Sequence, residues 1–189
     1  MLFVCTGNIC RSPLGERLLR ARLDADVPIR VSSAGTAAMV GMGIDGPSAL
    51  ALRDLGVDAD GHIARQLSTD QIRATGLILT AETVHRSVIL RADPLAFRKT
   101  FTIREFGRLG AGLPPADGRP NVAQLRERVV AVAEQRGWVE APAVGADEIG
   151  DPFGARPEVA RQTAANISVA VSAIISALGL SSPLVPPGR

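Results

Sequence analysis

Cysteine and histidine are scarce in this chain. Its 189 residues hold Cys5, Cys10, His62 and His85 and no others of either type. Two cysteines in one short stretch cannot staple distant segments, so a disulfide framework is excluded. The histidines stand at no ligand-like spacing from the cysteines, which excludes a structural zinc site of four such ligands; no metal and no cofactor is expected. Lys99 is the only lysine, so nearly all positive charge is arginine. A formal charge of +2 is too small for a nucleic-acid partner, although a pI near 8.9 suits anionic substrates. No apolar run approaches the roughly 20 residues of a bilayer span. No basic segment precedes an apolar one at the N-terminus. The expectation is a cytoplasmic protein with no membrane partner. Neither G-x-x-x-x-G-K-[ST] nor a strand-flanked G-x-G-x-x-G occurs, which argues against the common nucleotide-binding loops. There is no internal repeat.

With 46% apolar residues the chain can bury one good core, and a single domain over residues 1–178 is expected, followed by a flexible tail at 179–189. Strand-like runs at 2–4, 29–32, 77–80 and 100–103 alternate with helical patterns at 13–23, 47–55 and 81–92. Ser68-Thr69-Asp70-Gln71 fits a capping box before a brief helix. Residues 107–120 read as a loop by their glycines and prolines. Asn121 suits the cap of a helix reaching Arg136, and 157–178 carries Val159, Ile167, Val171, Ile174 and Leu178 at helical spacing. The alternation predicts an α/β fold: an open, mostly parallel four-stranded sheet with helices on both faces. Ligands of such sheets sit beyond the carboxyl ends of the strands, which is where Cys5 falls.

Cys5-Thr6-Gly7-Asn8-Ile9-Cys10-Arg11-Ser12-Pro13 is the most telling stretch. A free thiol, with a pKa of about 8.5, needs help to react as the thiolate. A helix starting at Pro13 with Ser12 as its N-cap would aim its free N–H groups and positive dipole end at Cys5 and at a bound anion. Gly7 and Asn8 both tolerate positive φ, which lets backbone N–H groups converge as an anion nest. Arg11 adds a planar fork for two oxygens of a tetrahedral dianion. A nucleophilic sulfur acting on phosphate is the chemistry these residue types share.

The string V-C-T-G-N-I-C-R-S-P resembles the signature loop of the low-molecular-weight protein tyrosine phosphatases. So do, in order, Val31-Ser-Ser-Ala-Gly-Thr36, Gly61-His-Ile-Ala-Arg-Gln-Leu67, Leu77-Ile-Leu-Thr80 and Asp151-Pro-Phe-Gly154. The likeness runs from residue 1 to about 178 and weakens between Gly107 and Gly150, where this chain is longer than compact members. It implies hydrolysis of phosphate monoesters, protein phosphotyrosine or a small aryl phosphate, through a cysteinyl-phosphate. Cys5 would be the nucleophile, Arg11 the dianion ligand and Asp151 the general acid and base, with Thr6 to Ser12 as the phosphate-binding loop. Asn8, Ser12, Ser33 and His62 would brace that loop. Met39 and Phe153 would form pocket walls where phosphotyrosine-directed members carry aromatics, and Gly154 stands in place of a second aromatic after the acid.

Two other readings stay open on sequence alone. An oxyanion reductase would use a similar loop but needs further cysteines or an external thiol. A non-catalytic phosphate-binding module would need neither Cys5 nor Asp151. Cys10 is either an ordinary small loop residue or a thiol that traps oxidised Cys5 as a disulfide. Oligomeric state is not legible.

Overall fold

A computed structural model describes residues 1–116, 118 and 120–180. Four strands, β1 (Leu2–Cys5), β2 (Ser32–Gly35), β3 (Ile78–Thr80) and β4 (Thr100–Thr102), form one sheet in the order β2-β1-β3-β4, and every pairing is parallel. The order reverses between β1 and β3, the place where ligands of open α/β sheets bind.

Strand alternation sorts the core into two layers. Phe3, Leu79 and Phe101 point to one face, packing with Leu14 and Leu18 of α1 (Arg11–Arg20), Leu52 of α2 (Gly46–Asp54), and Ile167, Val171 and Ile174 of a long helix later in the chain. Leu2, Val4 and Ile78 point to the other, onto Ile72 of α3 (Thr69–Ala74) and Ile89 of α4 (Thr83–Ala92). Helices therefore cover both faces, as a fully buried parallel sheet requires. The remaining α-helices are α5 (Ile103–Gly110), α6 (Val122–Glu134) and α7 (Pro157–Ala177), all on the first face. The capping box at Ser68 and the cap at Asn121 form as expected, the latter also as a capping box with Gln124. Among the described residues no helix is long and apolar enough to cross a membrane.

Five expectations need correction. The helix after the cysteine loop starts at Arg11, with Cys10 and not Ser12 as its N-cap. Pro13 fits inside the first turn because that N–H has no intrahelical acceptor in any case. The second strand lies at 32–35, three residues later than the apolar run suggested, because Ser33, Ala34 and Gly35 are small enough to lie buried beside β1. Residues 107–110 are helix and not loop. A Cβ on Gly107 would lie 2.6 Å from Ala173 Cβ, and one on Gly110 2.3 Å from Ala177 Cβ, so these glycines let α5 approach α7. Val159 is 38% exposed, and the buried face of α7 begins with Ala160. Gly179 and Leu180 belong to the cap of α7. Gly179 has φ +69°, its N–H donates to Ser176 O and that of Leu180 to Ile175 O, and Leu180 is buried. Residues 181–189 of the expected tail lie outside the described residues.

Candidate active site

Residues 5–11 wrap around a point at the carboxyl end of β1. Five successive carbonyls of this loop are bonded on its outside: Cys5 O to Thr36 N at 2.9 Å, Thr6 O to Ala37 N at 3.0 Å, Gly7 O to Met39 N at 2.9 Å, Asn8 O to His62 Nε2 at 2.7 Å and Ile9 O to Asp45 N at 2.8 Å. In a trans peptide the N–H points opposite to the carbonyl, and among the described residues no peptide bond is cis. The N–H groups of residues 6–10 are thereby turned inward, toward a common anion position. Only Asn8 has positive φ, at 55°; Gly7 does not, so the left-handed step is made once. Gly35 permits the outer contacts, since a Cβ there would lie 2.4 Å from Thr6 O.

A buried chain of side chains fixes the loop from beneath. Ser33 Oγ donates to Glu16 Oε2 at 2.6 Å, and Asn8 Nδ2 donates to both Ser33 Oγ and Ser12 Oγ at 2.9 Å. Asn8 Oδ1 accepts from Arg65 N at 2.9 Å. Ser12 Oγ, already an acceptor from Asn8, has its own proton free for Cys5 Sγ, 3.0 Å away. The hydroxyl expected to cap a helix is spent on the thiol. Asn8, Ser12, Ser33 and His62 thus meet at the loop, and Glu16, which the sequence did not single out, completes the chain. His62 donates through Nε2 to a carbonyl and is held below the usual imidazole range, chiefly by burial.

Arg11 is almost wholly buried, at 1% exposure. Its Nη1 is held from behind by Glu82 Oε2 at 2.6 Å and Ile149 O at 2.9 Å. The opposite edge of the guanidinium carries Nη2, 2.9 Å from Asp151 Oδ2, and Nε, which is buried without a partner among the described residues. That edge is the one suited to side-on, bidentate binding of an oxyanion. Cys5, Thr6, Gly7, Ile9, Cys10, Arg11, Ala37, Met39, Asp151 and Phe153 line a cavity of about 230 Å³, with Asp151 the one carboxylate among them. Met39 and Phe153 stand half-exposed at its mouth, so the expected wall residues do come together.

The segment that delivers Asp151 is pinned just before it. Arg108 binds the Asp147 carboxylate at 3.1 and 2.6 Å, Thr102 Oγ1 donates to Asp147 O at 2.8 Å, Thr83 N and Oγ1 donate to Glu148, and Ile149 N donates to Ala81 O at 2.9 Å. Cys10, which also lines the cavity, is buried with Ile9 and Ala64. Burial, ahead of all other causes, pushes its thiol up to about 12, which keeps it protonated near neutrality. Glu82 and His85 were not anticipated. Their signal was position: they follow β3, whose carboxyl end in a parallel sheet must lie beside that of β1.

A cysteine presented to a ring of inward N–H groups and a buried arginine, on a parallel α/β sheet, defines an enzyme that handles phosphate through sulfur. More narrowly, the chain belongs to the low molecular weight phosphotyrosine protein phosphatase family, whose sequence model matches residues 1–110. A probable low molecular weight protein-tyrosine-phosphatase, AmsI of Erwinia amylovora, is 42% identical over 100 residues, a stretch that is 53% of this chain and 67% of that relative. The solved structure of the Erwinia amylovora tyrosine phosphatase AmsI superposes with a TM-score of 0.67 at 27% identity, covering 92% of this chain and 89% of that one. The YwlE arginine phosphatase from Geobacillus stearothermophilus superposes with a TM-score of 0.65 at 28% identity, covering 92% and 88%. The structural likeness thus extends well past residue 110, where the sequence match stops.

Proposed function

We propose that this phosphatase hydrolyses protein phosphotyrosine through a cysteinyl-phosphate formed on Cys5. The observation that carries the reading is the outward bonding of five consecutive loop carbonyls around Cys5, which aims the N–H groups at a dianion. A bound phosphate monoester takes the Nε–Nη2 edge of Arg11, displacing Asp151 from Nη2. The freed carboxylate, in its acid form, then faces the leaving group at the mouth. Cys5 Sγ, stabilised as an anion by the Ser12 hydroxyl proton, attacks phosphorus. The S–P bond forms, the P–O ester bond breaks and Asp151 gives the leaving oxygen its proton. Water next attacks phosphorus, Asp151 takes the proton back, the S–P bond breaks and phosphate leaves. The walls of Ile9, Ala37, Met39 and Phe153 are apolar, which fits a phenyl ring better than a guanidinium.

Turnover of nitrophenyl phosphate and of phosphotyrosine, phosphoserine and phosphoarginine peptides, with EDTA present, tests this. Cys5→Ser is expected to lose hydrolysis while retaining vanadate or phosphate binding, and Arg11→Lys to lose most activity because an ammonium lacks the side-on fork. EDTA-resistant turnover by Cys5→Ser overturns the nucleophile. A wild type faster on phosphoarginine than on phosphotyrosine overturns the substrate class alone.

A further inference from the structure

The N-terminus of α4 sends two side chains into the site, and only Glu82, gripping Arg11, has a role so far. His85 is buried, at 2% exposure, and both its ring nitrogens are engaged. Nδ1 accepts the main-chain N–H of Glu82 at 3.1 Å, so it carries no proton. The neutral ring then bears its hydrogen on Nε2, which lies 2.9 Å from Thr6 Oγ1. Nε2–H must donate there and the threonine oxygen must accept. Thr6 Oγ1 cannot return its own proton to His85, because no lone pair faces it. Thr6 is exposed, follows Cys5 directly and lines the cavity. Its hydroxyl hydrogen is left to turn toward whatever anion the cavity holds.

We infer that His85 is a positioning residue which fixes the Thr6 hydroxyl as a donor to the bound phosphoryl group, supplementing the loop N–H groups and Arg11. The charged groups facing the ring are Glu82, whose Oε2 is 3.8 Å from Nε2, Arg11, Asp151 and Glu148. Burial first, and Arg11 second, hold the imidazole below its usual range, which keeps Nδ1 an acceptor at neutral pH. Protonation would set an N–H against the Glu82 N–H and free the ring from α4. The inference rests on the active-site reading above and adds to it a donor that no loop main-chain group supplies.

The experiment is a double-mutant cycle read by calorimetric binding of inorganic phosphate at pH 7, with kcat and KM on nitrophenyl phosphate and Tm as a fold check. Thr6→Val is expected to weaken phosphate binding about tenfold, the scale of one hydrogen bond to a charged group, while Thr6→Ser stays within about twofold of wild type. In a His85→Phe background, Thr6→Val should cost nothing further, because the hydroxyl is no longer aimed. Multiplicative losses in the double variant, or wild-type phosphate affinity in a folded Thr6→Val, overturn the inference. Should His85→Phe not fold, His85→Leu, which likewise has no donor, takes its place in the cycle and the same two outcomes decide. A wild type that neither binds phosphate nor turns over refutes the active-site reading instead.

Discussion

Asp151 has two partners to choose between. In the structure it holds Arg11 Nη2 at 2.9 Å, while the proposed mechanism asks it to face the leaving oxygen. Because a phosphate dianion and Asp151 compete for the same edge of Arg11, replacing the carboxylate has opposite consequences for binding and turnover. Asp151→Asn cannot donate a proton in acid catalysis, and kcat/KM on substrates with poor leaving groups is expected to fall by about 10²–10⁴-fold, with a far smaller loss on activated aryl phosphates. Inorganic phosphate should bind at least as tightly as to wild type, since the competing charge is gone. A leaving-group series with equal losses throughout would leave Asp151 only a structural role. Single residues were legible where the chemistry allows few substitutes: a thiol, a fork-shaped cation and an acid before Pro152. Glu16, Glu82 and His85 were not, because carboxylates and histidines of this kind look like surface residues until the fold sets Glu82 beside Arg11, 71 positions away, and His85 beside Thr6, 79 away.

At the level of elements, the sequence spoke through periodicity and caps, and it misled where packing overrode composition. Gly107 and Gly110 read as loop formers, yet they sit inside α5 because α7 runs too close for a side chain. Glycine normally weakens a helix by roughly 0.5–1 kcal/mol relative to alanine, so an alanine here would ordinarily stabilise. At Gly107 the added Cβ meets Ala173 Cβ at 2.6 Å, a short stub on α7 backbone that cannot swing away. Gly107→Ala is therefore expected to destabilise by about 1–3 kcal/mol, a Tm drop of several degrees for a protein this size. Ala173→Gly combined with it should recover part of the loss, which thermal unfolding of the four variants will measure. An additive pair, or a stabilised Gly107→Ala, would show that the helices can part freely. The alternation of strands and helices itself was readable because a fully covered parallel sheet leaves short apolar runs, such as residues 2–4 and 77–79, between helical patterns. The site of β2 was not, since its small buried residues carry little hydrophobic signal.

Across the whole molecule, two buried imidazoles grip the phosphate loop from different elements, His62 at Asn8 O and His85 at Thr6 Oγ1. Burial lowers both from the ordinary histidine value of about 6.5. In the unfolded chain each would bind its proton near that value, whereas in the fold it binds only at lower pH. The unfolded state therefore holds more protons through this window, and stability is present above about pH 6.5 and lost as pH falls through the folded values. The Met1 amine, also lowered by burial, adds a slope of the same sign below about pH 8. Thermal unfolding followed from pH 8 to 5 should show Tm falling steadily on the acid side, before the range in which most carboxylates titrate. His62→Gln, whose amide can still donate to Asn8 O without gaining a charge, should flatten that fall. Because both histidines hold the loop itself, phosphate affinity should decline over the same interval as Tm. A wild-type Tm constant between pH 7 and 5.5, or a His62→Gln profile as steep as the parent's, would show that the imidazoles do not couple the fold to protonation.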